Sequence, residues 1–308
     1  MELERVVTKG RIAITLLALS ALVLLSKGQD IRNSLIKSAV AKELPDRNTD
    51  IFYGWEPFTS YRTDAVRPIL MDRCNSNREY KEHGRNVAYT AELHGVSTEV
   101  FCLDDETGIN DTPAIINLTN RINDQNSSPI VILPWYEDGS VSTELKDLIN
   151  AVYKHGGVFL TIAGNNNNHG DYIATSQLAS IPRAVCVFGI DPSGKRHEGS
   201  RDCLNSLGKP IGAFHLTLDP EGNRLSGTSF AVAHLGAELA KFIELTGCEP
   251  AQAFDILREM LADNYPTIDG APVLPYNFDV ATLADNYLLE LMGFTLGSCP
   301  AWVPEVYK

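Results

Sequence analysis

Along this chain, short unbroken apolar runs alternate with longer segments whose apolar residues recur at helical spacing. Ile130–Leu133 and Val158–Ile162 have almost no polar interruption, the pattern of strands buried on both faces. Residues 181–191 read as a further buried strand, and residues 66–72 and 98–103 as strands. Between them, residues 113–124 could form a helix, and residues 142–155 and 250–261 have helical periodicity. In the second of these, Leu145, Leu148, Ile149 and Val152 share one face, and Gly156-Gly157 supplies the stop. The longest helical pattern covers residues 225–245, with Val232, Leu235, Leu239, Phe242 and Ile243 at the apolar positions. Its small residues Ala231, Ala233, Gly236 and Ala237 would let neighbouring backbones come close. Such an alternation of strand and helix predicts an α/β fold, a mainly parallel sheet held between two helical layers in a three-layer αβα arrangement.

Composition narrows this picture. The 308 residues are 44% hydrophobic and 21% charged, enough for one domain of roughly 250 residues with tails. A net charge of -13 argues against a nucleic-acid partner, which would be repelled. The 6 cysteines are scattered with no Cys-x-x-Cys pair, so a zinc site is not expected, and their even number permits disulfides without requiring them. Cys102 and Cys186 fall inside apolar runs and read as buried thiols.

Near the start, residues 12–26 (IAITLLALSALVLLS) follow Arg5, Lys9 and Arg11. This stretch has the length of a signal-peptide core and is short for a membrane span. No Ala-x-Ala cleavage site follows directly, and Lys27, Arg32, Lys37 and Lys42 blur the charge asymmetry. The expectation is a targeting segment or membrane anchor over residues 1–26, giving a secreted or membrane-anchored protein; otherwise the chain is cytoplasmic. A linker or short pro-segment is expected over 27–60, the main domain over 61–265, and an extension of unknown role over 266–308.

Candidate chemistry sits at the ends of the predicted elements. Ser229 would lie in the first turn of the long helix, where unpaired N–H groups and the helix dipole favour developing negative charge. Asp72 ends a predicted strand, at the sheet edge where open α/β folds bind ligands. His83 begins a segment, residues 83–91, with helical spacing at Val87, Ala88 and Ala91. Asn165 follows the strand Val158–Ile162. Three of the four have an ordinary alternative: a serine N-cap, an acid at a turn or cap, an asparagine in a turn.

The motifs weigh against those alternatives. Gly227-Thr228-Ser229-Phe230-Ala231, with His234 beyond, resembles the Gly-Thr-Ser-x-Ala-x-Pro-His nucleophile motif of the subtilisin-like serine proteases, with Ala233 in the proline's place. His83-Gly84-Arg85-Asn86-Val87-Ala88-Tyr89-Thr90 resembles the family's histidine motif, matching at His83, Gly84, Val87, Ala88 and Thr90. The strand ending in Asp72 resembles its aspartate strand, although Arg73-Cys74 follows. Helix, Gly156-Gly157, apolar strand and Ala163-Gly164-Asn165 resemble its oxyanion segment. The competing α/β-hydrolase elbow needs a histidine downstream of the serine, and His234 is the only one there, on the same helix. The order acid, histidine, serine is that of subtilisin.

The resemblance implies an endopeptidase acting on protein or peptide. Asp72 would orient, His83 would act as base and then acid, Ser229 would be the nucleophile, and Asn165 would form the oxyanion hole with the Ser229 N–H. It implies no required cofactor. Structural calcium is possible, but the acidic stretch 104–111 lacks an EF-hand order. His94 reads as a decoy at the end of the histidine helix. Pro134-Trp135-Tyr136 falls where the family's substrate-pairing strand lies, and Tyr136 would narrow the specificity pocket. Asp72 and His83 are closer in sequence than is usual in the family. That spacing, Arg85 and Ala233 keep open a non-catalytic binding module, and an esterase or peptide ligase would use the same nucleophile.

Overall fold

The computed structural model of the chain describes residues 65–72, 78–103, 111–135, 141–165, 181–201, 203 and 209–275, with Phe278, Val280, Ala281, Leu283, Ala284 and Tyr287 beyond them. The chain divides into two compact units, Met1–Trp55 and Glu56–Lys308, and every described residue belongs to the second. The expected targeting stretch 12–26, the linker 27–60, Tyr136 and the acidic stretch up to residue 110 lie outside the described residues.

Ten strands and five helices are described. In chain order they are β1 (Ile69–Asp72), α1 (Arg78–Leu93), β2 (Glu99–Cys102), α2 (Thr112–Gln125), β3 (Ile130–Leu133), α3 (Thr143–Lys154), β4 (Val158–Ile162) and β5 (Ala184–Ile190). There follow β6 (Ile211–Phe214), β7 (Leu216–Leu218), β8 (Arg224–Ser226), α4 (Thr228–Thr246), α5 (Pro250–Asn264), β9 (Thr267–Ile268) and β10 (Ala271–Leu274). The main sheet runs β2-β1-β3-β4-β5-β6-β10-β9. Every pairing in it is parallel except β9 with β10.

Alternate strand residues feed two cores. Leu70, Ile130, Ile132, Leu160, Val185 and Val187 pack with α1, α4 and α5 on one face. Ile69, Met71, Val131, Leu133 and Phe159 pack with α2 and α3 on the other. The sheet is therefore the middle layer of a three-layer αβα fold, because each strand buries both faces. Helix α4 crosses the centre, packed on β3, β4, β5 and β6. Its Gly236 explains how close it comes: a Cβ there would stand 2.4 Å from Ile132 Cδ1.

Three expectations are corrected. Helix α1 starts at Arg78, so His83 lies in its second turn rather than at its beginning; residues 78–82 are mostly polar and gave no apolar period to read. The expected boundary at residue 265 does not divide the fold, since β10 pairs with β6, and Phe278, Val280, Leu283 and Ala284 complete the α4–α5 core. Cys102 and Cys186 are not thiols: both are disulfide-bonded, Cys186 to Cys203. Cys102 is also exposed, because β2 is the sheet edge.

Candidate active site

The strand order reverses at β1: β2 lies on one side of it and β3 on the other. In an open α/β sheet the crevice beyond the carboxyl ends of such strands is the natural binding place. Asp72 is the last residue of β1, Pro134 follows β3, and Asn165 lies just past β4. Helix α4 begins over the same edge and delivers Ser229 in its first turn.

Three side chains from separate elements form one hydrogen-bonded line there. His83 Nδ1 lies 2.9 Å from Asp72 Oδ2, and His83 Nε2 lies 3.0 Å from Ser229 Oγ across 146 residues of sequence. Asp72 is 1% exposed and Ser229 6%, while the His83 side chain is 32% exposed. The histidine is thus the member of the line with the most access to solvent. Gly84 lets α1 approach the carboxylate, since a Cβ there would sit 3.2 Å from Asp72 Oδ2.

Ser229 Oγ also donates to the carbonyl oxygen of Pro134 at 2.7 Å. A hydroxyl has a single proton, so His83 Nε2 and the Pro134 carbonyl are alternative acceptors for it, reached by rotating one O–H bond. Pro134 stood in the sequence as the start of a substrate-pairing strand; nothing in the pattern pointed to its carbonyl as a partner of the serine.

Asn165 is tied to the start of α4. Its Oδ1 accepts from the Thr228 N–H at 3.0 Å and from the Thr228 hydroxyl at 3.1 Å. The asparagine thereby caps a helix whose own cap, Gly227, has no side chain to do so. With Oδ1 occupied, the donor Nδ2 makes no hydrogen bond among the described residues. Gly227 has φ 155 and ψ 162, a region open essentially to glycine alone, and this sharp entry aims the first turn of α4 at the site. Thr228 was part of the sequence motif, but its role in holding Asn165 could not be read from it.

Departures from the family motifs sit away from this line or fit quietly. Arg85 is exposed and pairs with Glu221 of the β7–β8 hairpin at 2.6 Å. Ala233 is buried inside α4, where a residue with its own N–H keeps the helix regular. His94 is not in the site; it joins His234 and Glu238 in a separate buried cluster.

No protein-family model matches the chain. It is 25% identical over 204 residues, 62% of its length, to a cuticle-degrading serine protease of Arthrobotrys oligospora. It is 25% identical over 185 residues, 56% of its length, to a cuticle-degrading serine protease of Orbilia oligospora. The matches span 49% and 43% of those relatives, so the chain covers about half their length. Among solved structures, a cold adapted subtilisin-like serine proteinase superposes with a TM-score of 0.54 at 19% identity. That superposition covers 77% of this chain and 97% of the other. The chain thus shares the fold of a subtilisin-like serine proteinase and is similar in sequence to serine proteases.

Proposed function

We propose that the chain is a serine endopeptidase whose catalytic residues are Asp72, His83, Ser229 and Asn165. The observation that carries this reading is the continuous line from Asp72 through His83 to Ser229, with spacings of 2.9 and 3.0 Å. Ser229 Oγ attacks the peptide carbonyl carbon while its proton passes to His83 Nε2. Asp72 accepts the Nδ1–H, which holds the ring in the tautomer with a free Nε2 and stabilises the imidazolium that forms. The developing oxyanion receives the Ser229 N–H, in a first turn that lacks intrahelical acceptors, and the Asn165 Nδ2–H. Collapse of the tetrahedral intermediate breaks the C–N bond, and the leaving amine takes the proton from His83. Water, activated by the same histidine, then hydrolyses the acyl-serine. Proton carrier, nucleophile and oxyanion donors are all side chains or backbone of this chain, so the chemistry requires no cofactor.

Substrates are proteins or peptides, and the range is narrow. Pro134 has no N–H to pair with an extended substrate. Trp135 packs partly buried against the α2–α3 core. The wall of the cleft therefore offers fewer backbone partners. A peptide-library profile should show a restricted set of cleavage sites with poor casein turnover; broad cleavage with bulky residues before the scissile bond overturns this. Disulfide-bonded Cys102, Cys186, Cys203 and Cys248 support a working place in an oxidising compartment, in keeping with export through the apolar stretch 12–26.

Fluorophosphonate labelling tests the central reading, because only an activated serine reacts. Labelling that is lost in Ser229→Ala, together with peptide turnover, is the expected result. No labelling and no turnover would leave a binding module with this fold, and ester turnover alone would leave an esterase.

A further inference from the structure

We propose that residues 196–201, anchored by the Cys186–Cys203 disulfide, form a strap that positions Asn165 for oxyanion stabilisation. The proposal rests on the protease reading above and assigns it a second set of residues. The anchor is deep: Cys186 is 0% exposed on β5, and Cys203 is 4% exposed just past the strap's far end. At that end, the strap runs beside the turn that carries Asn165. The Arg201 N–H donates to the Gly164 carbonyl at 3.0 Å, and Ser200 forms an antiparallel bridge with Asn165 itself. The Arg201 side chain lies over Gly164, with Cδ 3.4 Å from where a Cβ would be. Gly164 has φ +99, a conformation with little side-chain packing to defend it.

Ser200 ties this contact to the sheet. Its hydroxyl oxygen accepts from the Gly189 N–H of β5 at 2.8 Å, and its hydroxyl donates to the Arg201 carbonyl at 3.0 Å. At the other end, the His197 N–H donates to the Gly189 carbonyl at 2.9 Å, and the His197 ring stacks on His215 at 3.8 Å. The His215 carbonyl in turn accepts from the Gly227 N–H at 3.1 Å, immediately before the helix start that holds Asn165 Oδ1. The strap thus touches the asparagine's own turn and reaches the start of α4 indirectly, through His215 and Gly227. The disulfide joins cysteines 17 positions apart and keeps residues 200 and 201 on station. Ser200, Cys186 and Cys203 are positioning residues; Asn165 remains the donor.

The test is a kinetic cycle on the full chain with one peptide substrate. Cys186→Ala/Cys203→Ala and Ser200→Ala are each measured in the wild-type background and again with Asn165→Ala. A strap that acts through Asn165 lowers kcat by about 10-fold or more and moves KM by less than about 2-fold in the wild-type background. In the Asn165→Ala background the same changes cost less than about 2-fold more, since no donor is left to position. Equal fold-losses in both backgrounds, or no loss in either, overturn the proposal. If the cysteine variant does not accumulate as folded protein, Ser200→Ala, which keeps the disulfide, decides alone. A wild type without peptide turnover removes the protease reading and the strap with it. Active wild type, impaired Asn165→Ala and unimpaired strap variants remove the strap only.

Discussion

Helices α1 and α4 are bridged twice by a carboxylate and a histidine, with opposite consequences. In the first line, Asp72 holds His83, whose far nitrogen meets a hydroxyl at the open start of α4. In the second, Glu238 Oε1 lies 2.7 Å from His94 Nδ1, and His94 Nε2 meets His234 Nδ1. That line ends where His234 Nε2 donates to the Leu216 carbonyl at 3.0 Å. His83 and His94 are 11 positions apart, about 16 Å along a helix axis. The second line is closed at every joint. Lys241 Nζ sits 2.9 Å from the Glu238 carboxylate, both side chains are 5% exposed, and the terminal acceptor is a backbone oxygen. A carboxylate–histidine pair is therefore not a reactive unit in itself. Chemistry needs a displaceable proton on the far atom, and the first line ends on one, the Ser229 hydroxyl, beside the partly exposed His83.

Breaking the first line should give the largest effect. Ser229→Ala and His83→Ala should each lower turnover by about 10⁶-fold, the size of loss known for subtilisin, and the double variant should lose little more. Steady-state kinetics check this; near-normal activity in His83→Ala would reopen the choice between the two histidines. Next comes Asn165→Ala, expected to lower kcat by about 10²–10³-fold with KM nearly unchanged, because its donor acts in the transition state. A loss confined to KM would make Asn165 a substrate contact instead.

Breaking the second line should reverse the pattern. His94→Ala strips a partner from buried Glu238 and should destabilise the fold by about 3 kcal/mol. At a temperature where it stays folded, its kcat should remain within about 3-fold of wild type. Chemical denaturation and kinetics on the same sample test both halves. A collapse of kcat in folded His94→Ala would mean that the sealed line does take part in the chemistry.

The contrast also explains what could be read from the sequence. Strands β3 and β4 were legible to the residue because both faces are buried, and Pro134 and Gly157 punctuate them. Helix α3 was legible because Ser142 caps it, accepting from the Leu145 N–H at 3.2 Å, and Gly156-Gly157 ends it. Strands β7 and β8 are only three residues long, and β6, though as long as β3, has Gly212-Ala213 where β3 has an unbroken run of large apolar residues. Strand β10 was hidden by Pro272, tolerable there because it faces two-residue β9 at the sheet edge. The disulfide could not be seen either, since cysteine spacing does not encode connectivity. His94 and His234 looked unrelated, being 140 positions apart, and only the packing of α1 on α4 joins them.

The smallest effect expected is a pH dependence of stability set by the sealed histidines. Burial holds His234 well below its ordinary 6.5, and the neighbouring His94 adds to this, against the opposing bond to the Leu216 carbonyl; His215 and Lys241 also face it and lower it further. Burial likewise lowers His215, opposed by its bond to the Ile190 carbonyl and helped by His197. For a group lowered in this way, the unfolded chain binds more protons than the folded one between the folded value and 6.5. Stability is therefore full above about pH 6.5 and falls as the pH drops through that window. Burial works to raise Glu238, but the bond and charge of His94 together with Lys241 hold it below 4.5. Its stabilisation is lost in turn as the pH falls further, in the same direction. Melting temperatures between pH 8 and pH 5 should decline on the acid side, and His234→Gln, which removes the titrating group, should flatten part of that decline. An unchanged acid slope in His234→Gln would locate the sensitivity elsewhere and leave the second line as packing alone.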